Sequence, residues 1–344
     1  MESNPEMERL NPLLKRVSRS FYLTLRVLPS QIRRQIGLGY LLARTSDTIA
    51  DTELLAAESR REALQVYLNR VLDNDRRPLR FEAMANSQSD PAEAELLRDA
   101  EAAVVLLKGF DDADRARIRG VITTIISGQQ LDLSRFENAG CKRVKALESD
   151  EELEDYTYRV AGCVGEFWTS TCLAHLKPAF TGDSTALMEA GIRFGKGLQL
   201  VNILRDLPKD LGMGRCYLPK RELVEHGLKP EDLLDEANEQ RLKPIFTAWH
   251  SRAQSYLDSG WNYTCTLPRE WTRVRLACAW PVLIGFDTLK LLEGGPNLNP
   301  ARRPKISRSA VRGILWSTLL RLPFRTAWEQ LGRRGHRARQ ATRR

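Results

Sequence analysis

Asp47 and Asp51 stand four residues apart inside the run YLLARTSDTIADT, Tyr40 to Thr52. On a helix, that spacing puts both carboxylates on one face, about one turn apart. The preceding YLLAR and the apolar Ile49 require much of the same helix to be packed. An acidic pair on a packed helix is costly unless a cation or a polar partner meets it. The segment is therefore constrained twice: it has to be helical, and it has to present two charges to something that accepts them. A solvated acidic stripe explains one such pair about half the time, because charged helix faces are common.

A second helical run repeats the pattern. In NILRDLPKD, Asn202, Asp206 and Asp210 again follow at four-residue intervals. Two carboxylate-bearing helices suit hard divalent cations. Mg²⁺ is the natural choice, since it binds through a few carboxylates together with the phosphate oxygens of a substrate. Each acidic run carries an arginine, Arg44 three residues before Asp47 and Arg205 beside Asp206. Guanidinium groups match phosphate as well as carboxylate oxygens, and Arg19 in SRSF is a third candidate clamp. Pro208 lacks an amide hydrogen and clashes with the carbonyl four residues back, so this helix is expected to kink or end near Leu207. Asp210 would then act from a loosened turn.

The rest of the chain reads as helix after helix. Helical periodicity covers about 114–136, 151–173, 184–207, 232–259, 269–292 and 308–330, with shorter helices over 53–105. DNDRRP and NSQSDP mark turns, LGMGRCYLP (Leu211 to Pro219) reads as a loop, and GGPNLNPARRP (Gly294 to Pro304) as a long loop or linker. No β-α alternation and no glycine fingerprint after a strand are found, which removes Rossmann and P-loop folds. An all-α fold is expected. The six cysteines are dispersed without C-x-x-C spacing, so a structural zinc site is not expected. The stretch Leu276 to Leu292 holds Pro281, Asp287 and Lys290, and reads as a buried core helix rather than a membrane span. No basic-then-apolar signal segment opens the chain.

The net charge of +9 is concentrated late, with eight arginines between Arg321 and Arg344. No upstream motif supports nucleic-acid binding, and none is expected. Trp316, Leu319, Leu320, Leu322, Phe324 and Trp328 lie before and within the basic run. Such a mixture suits the surface of an anionic membrane, and equally a terminal helix packed on the body with a basic end.

Four ordered segments together resemble the squalene/phytoene synthases, the head-to-head branch of the helical isoprenoid synthases. They are SRSF (Ser18 to Phe21), YLLARTSDTIADT, YTYRVAGCVGEF (Tyr156 to Phe167) and GLQLVNILRDLPKDLGMGRCYLP (Gly197 to Pro219). The resemblance covers roughly 15–290 and implies a helical isoprenoid synthase fold with a central active-site cavity. It implies that Asp47, Asp51, Asp206 and Asp210 bind Mg²⁺ and that Arg19, Arg44 and Arg205 bind diphosphate. Gln199 and Asn202 would line the substrate side, and Tyr156 or Tyr158 would stand near the carbocation, with Tyr156 slightly favoured. Lys209 departs from the family by standing where an acidic residue is usual.

The same resemblance implies condensation of two farnesyl diphosphates through presqualene diphosphate. ARRPKISRS, Ala301 to Ser309, resembles the K-I-x-R region of squalene synthases. It points to a final NADPH-dependent reduction to squalene, with Arg215, Lys305 and Arg308 meeting the cofactor phosphates. Carbocations need an apolar, water-poor space, for which Phe21, Phe167, Trp168 and the surroundings of Gly162 and Gly165 are candidates. Those glycines serve equally for close helix approach. Alternatives are a synthase stopping at presqualene diphosphate, hydroxysqualene, dehydrosqualene or phytoene, and a catalytically inactive assembly protein on the same fold. The expected organisation is a lead-in over 1–17, a catalytic domain over 18–292, a loop and packed helix over 293–330 and a basic tail over 331–344. A monomer or weak dimer is expected in the cytoplasm, with peripheral contact at the inner face of the cell membrane.

Overall fold

Pro29, fixed near φ −64°, opens the first long helix and leaves no amide hydrogen unpaired there. The computed structural model describes residues 12–18, 21–52, 54–140, 142–302 and 304–335, with backbone only at Phe21, Arg333 and Arg334. The principal helices are α1 (Ser30–Ala50), α2 (Asp112–Arg135), α3 (Asp150–Thr157), α4 (Cys163–His175), α5 (Ser184–Gly212), α6 (Glu239–Thr266), α7 (Thr272–Glu293) and α8 (Arg308–Arg321). Two short strands, β1 (Lys145–Leu147) and β2 (Arg215–Pro219), pair in parallel with Lys145 opposite Arg215. The fold is all-helical apart from this ribbon.

Contacts divide the chain into two units, one of 1–134 with 167–176 and one of 135–166 with 177–344. In the first, α1 buries Ile32, Leu38, Leu42 and Ile49 completely, and α2 does the same with Ile118, Ile122 and Ile126. Burying each of these side chains stabilises the fold by about 1.5–3 kcal/mol before entropy is charged against it. The Tyr67 hydroxyl donates to the Leu42 carbonyl at 3.1 Å and ties helix Ala57–Val71 to α1. Asp114 forms a buried polar knot. It accepts from Gln35 of α1 at 2.9 Å and Arg117 at 2.7 Å, and lies 2.8 Å from the His175 ring nitrogen of α4. Burial alone would raise its pKa, but the bonds from His175 and Gln35 hold it below the usual carboxylate range.

In the second unit, α5 packs along α6, and α7 lies against both. Asp183 caps α5 by accepting from the amides of Thr185 and Ala186 at 2.9 and 3.0 Å. The apolar stretch of α7 is buried along most of its length, including Cys278, Val282, Phe286 and Leu289. Among the described residues no helix is long and apolar enough to cross a membrane.

Three expectations change. The α5 helix runs through Pro208 to Gly212, because Leu207 and Leu211 are buried on either side of the proline and packing outweighs one missing hydrogen bond. The segment read as a loop after it contains β2, pinned by its ladder to β1. The turn before β2 holds Gly214 at φ +80°, where a Cβ would lie 2.1 Å from the amide nitrogen of Gly140. The helix expected over 151–173 contains a π-helical turn, Tyr158–Gly162, between α3 and α4.

Glu222, on the short helix Lys220–Glu225, carries a testable pH dependence. It accepts from the Trp249 indole at 3.0 Å. Burial, then hydrogen bonding with Asp150, raise its pKa, against the lowering effect of Trp249. The folded state therefore holds a proton that the unfolded chain releases, and this group favours folding more as pH falls toward the ordinary carboxylate range. Between about pH 8 and pH 5, the melting temperature of Glu222→Gln is expected to vary less than that of the wild type, with the variant the more stable at the alkaline end. Parallel curves would refute the shared proton.

Candidate active site

The first acidic pair belongs to α1. Asp47 lies in its last turn, and Asp51 closes the helix, its amide bonded to the Asp47 carbonyl at 2.8 Å. The Asp47 side chain is recessed rather than covered: 47% of it is exposed, yet surrounding protein raises its pKa. Burial first, then repulsion from Asp51, push it to about 6, against the opposing pull of Arg44 and Gln129. Gln129 of α2, itself buried, donates to Asp47 at 2.7 Å. Arg44 is ion-paired with Glu93, and its guanidinium is 4.0 Å from Asp47.

The second acidic run lies on α5. Gln199, Asn202, Asp206 and Asp210 fall within one stripe of that helix, as their spacing requires. Asn202 is exposed and its side chain lies 3.4 Å from Gln199. Arg205 grips Asp206 with two bonds, Nε to Oδ1 at 2.9 Å and an η nitrogen to Oδ2 at 2.6 Å. Lys209 is exposed, so the family departure places a cation at the surface between the two aspartates.

The YTYRVAGCVGEF segment supplies the end of α3, the π turn and the start of α4. Its glycines serve helix contact: a Cβ on Gly165 would lie 2.0 Å from the Gly191 carbonyl oxygen, and one on Gly195 would lie 2.2 Å from that of Ala161. Backbone touches backbone, with no side-chain layer between. Tyr156 is buried and stacks on Tyr217 at 4.7 Å, while Phe136 meets Tyr217 edge-on. Tyr158, at the start of the π turn, donates to Glu166 at 2.9 Å. Burial, then the Glu166 carboxylate, push its phenol up to about 12, so it stays protonated. Phe167 packs on α1, where a Cβ on Gly39 would come within 2.8 Å of its ring; it is a core residue of the first unit rather than an open cavity wall. Trp168 is partly buried, with its indole nitrogen unpartnered. Arg19 lies outside the described residues, as does the side chain of Phe21.

Of the proposed cofactor contacts, Arg215 opens β2 beside Lys145, whereas Lys305 and Arg308 are exposed at the entry to α8. The fold thus holds them on separate elements. Among the described residues no cluster of three or more His, Cys, Asp or Glu forms a cage for a cation. A carboxylate pair on one helix face, as on α1 and again on α5, has the chemistry that suits Mg²⁺, which keeps waters and shares phosphate oxygens, and not a metal needing a closed protein shell. The raised Asp47 pKa means that its charged form is disfavoured as the site stands, by burial first and by Asp51 second.

Gln129 and Glu93 are partners of Asp47 and Arg44 that sequence patterns do not reveal. Gln129 sits in an apolar-periodic helix as an ordinary polar residue, and only the fold brings it to Asp47 from 82 positions away. A family model described as squalene/phytoene synthase matches residues 14–310. The chain belongs to the squalene/phytoene synthase family. It is 28% identical over 282 residues to the 15-cis-phytoene synthase of Synechocystis sp., covering 80% of this chain and 71% of that one. It is likewise 28% identical over 261 residues to the bifunctional lycopene cyclase/phytoene synthase of Phaeosphaeria nodorum. That match takes in 75% of this chain but spans only 41% of the bifunctional relative's length. The structure of TcSQS with the ligand E5700 superposes with a TM-score of 0.74 at 19% identity, over 98% of this chain and 99% of that one. A dehydrosqualene synthase in complex with ligand gives 0.65 at 20%, over 93% and 97%. These neighbours establish the helical isoprenoid synthase fold.

Proposed function

We propose that this family member is a Mg²⁺-dependent transferase of isoprenoid biosynthesis that joins two farnesyl diphosphates head to head through presqualene diphosphate, and then reduces the intermediate to squalene with NADPH. The observation that carries the reading is the Asp47–Asp51 pair. Its two carboxylates repel each other and Asp47 is held near a pKa of 6, on a family-matched helix. Asp206 and Asp210 supply the second carboxylate set. Held by these carboxylates, Mg²⁺ would neutralise the diphosphate charge and so favour its departure as a leaving group.

The chain's own residues position and protect. Arg44 and Arg205, each already paired with a carboxylate, turn toward phosphate oxygens when the substrate brings a stronger anion. Arg19 is proposed as a third phosphate contact, and Gln199 and Asn202 as polar contacts on the α5 stripe. Tyr158 is preferred over Tyr156 for guiding the carbocation, because its hydroxyl is held by Glu166 beside the π turn while Tyr156 is stacked in an aromatic cluster. Tyr158→Phe is expected to lower turnover by about tenfold or more with little change in melting temperature, and Tyr156→Phe by less than about twofold. The reverse order would return the role to Tyr156.

The reductive step rests on the K-I-x-R resemblance and on Lys305 and Arg308, exposed and basic, with Arg215 as a further phosphate contact. NADPH would supply hydride. The relatedness to phytoene synthases favours a second reading, in which proton loss ends the reaction and longer allylic diphosphates are accepted. Mass spectrometry of products from farnesyl and geranylgeranyl diphosphates, with and without Mg²⁺ and NADPH, separates the two. Squalene formed only with NADPH supports the first reading; a phytoene-type product without NADPH supports the second. Absence of any Mg²⁺-dependent product would favour the inactive assembly-protein reading. The basic residues Arg337, Arg339, Arg343 and Arg344 are proposed to place the protein at the inner face of the cell membrane.

A further inference from the structure

A basic pocket lies on the second unit, where the end of α6, the start of α7 and the segment after α8 meet. Its volume is about 540 Å³. Arg269, Thr272, Arg275, Arg325, Trp328 and Glu329 line it. Arg325 donates to Glu329 at 2.9 Å, which leaves Arg269 and Arg275 without a lining carboxylate of their own.

Arg275 is the informative residue. It is only 7% exposed, and its Nε is buried with no hydrogen-bond partner. Its guanidinium lies 4.8 Å from the Trp328 ring centroid, and no ion pair to it is formed among the described residues. A buried guanidinium with no carboxylate in direct contact is expensive, and burial depresses its pKa, with Arg269 adding to the effect against the opposing pull of Cys265 and Glu329. The cost is recovered if an anion enters. The pocket also receives the N-terminal end of α7, whose dipole favours negative charge.

The surface beside the pocket is apolar. Trp316, Leu319 and Leu320 share the exposed face of α8, and Phe324 continues it in the turn that follows; Trp316, Leu320 and Phe324 are 66%, 70% and 65% exposed. Arg312 lies on the same exposed face, and Arg325 follows the turn. Large exposed apolar side chains flanked by arginines match an anionic bilayer, apolar groups to the acyl boundary and guanidinium groups to phosphate.

We propose that the Arg269–Arg275–Arg325 pocket binds the phosphate of an anionic phospholipid headgroup while Trp316, Leu319, Leu320 and Phe324 enter the outer acyl layer. The inference deepens the membrane reading above by giving it a structured site, and it is independent of the reaction catalysed.

The test is co-sedimentation of the full chain, without substrate, with phosphatidylcholine vesicles containing or lacking phosphatidylglycerol. Preferential binding to the phosphatidylglycerol vesicles is expected. Arg275→Met should weaken it about tenfold at unchanged circular dichroism. Should that buried substitution unfold the protein, the surface variant Arg269→Glu with Arg325→Glu gives the same reading. Trp316→Ser with Phe324→Ser should weaken binding to a similar extent. The proposal is overturned if both pocket variants bind like wild type while replacing Arg337, Arg339, Arg343 and Arg344 by Gln abolishes binding, because the tail then acts alone. It is equally overturned if inorganic phosphate protects the protein thermally in an Arg275-dependent way with no vesicle binding, or if the apolar face proves to mediate self-association in sedimentation velocity instead. An inactive but vesicle-binding wild type would sink the enzyme reading and leave this one standing.

Discussion

Asp47→Asn and Asp206→Asn are each expected to lower turnover of farnesyl diphosphate by about 10²–10³-fold or more, the scale seen when one preorganised charge-stabilising group is removed. Their effects on stability should differ. Asp47 carries an unfavourable charge in the ligand-free protein: its folded pKa of about 6 lies above the ordinary carboxylate value. A raised folded pKa means that ionisation above pH 6 works against folding, so Asn at 47 removes a cost while keeping an acceptor for Gln129. At about pH 8 this variant should melt at or above the wild-type temperature. Asp206 is partly exposed and paired with Arg205, so its loss should cost no more than about 1 kcal/mol. An inactive Asp47→Asn that is also more stable would mark the residue as held for chemistry at the expense of folding. Wild-type turnover in either variant would remove the carboxylates from the mechanism.

The largest structural effect is expected at Gly165 and Gly195. Alanine at either site would place a methyl group about 2 Å from a backbone carbonyl oxygen of the facing segment. Neither partner is a side chain able to swing aside, so the helices must separate. Overpacking of this kind costs about 3 kcal/mol, at the upper end of its usual range. Gly120 on α2 is the internal control, because a Cβ there meets nothing within 4 Å. Gly120→Ala should stabilise by about 0.5–1 kcal/mol, the ordinary gain from replacing a helical glycine. Denaturant melts of the three variants decide the matter, and equal effects at 120 and 165 would mean that the contact between the π turn, α4 and α5 is loose.

The long helices were readable from sequence because each combines apolar periodicity with a turn signal at its ends. That Asp47 and Asp51 share one helix face, and Asp206 and Asp210 another, was readable because residues four apart meet on the same side of a helix. Other features were not legible for identifiable reasons. Of the two outcomes expected at Pro208, an end to the helix does not occur, since local sterics do not report the burial of Leu207 and Leu211. The β2 strand was missed because five residues paired to a three-residue partner carry no periodicity of their own. The π turn at Tyr158–Gly162 leaves the apolar pattern nearly unchanged while shifting every later side chain around the helix. Gln129 and Glu93 are long-range partners, visible only once α2 and helix Pro91–Arg98 are placed against α1.

The end of the described chain has a practical side. Trp328 is stacked on Trp261 at 5.5 Å, Leu331 is fully buried, and a Cβ on Gly332 would collide with the Trp261 ring. These residues roof α6 and are not part of a trailing tail. A shortened chain ending before Phe324 would strip that roof and expose an indole-lined gap, so its aggregation would be mistaken for loss of an anchor. Trimming that leaves residue 335 in place keeps each of these packed residues.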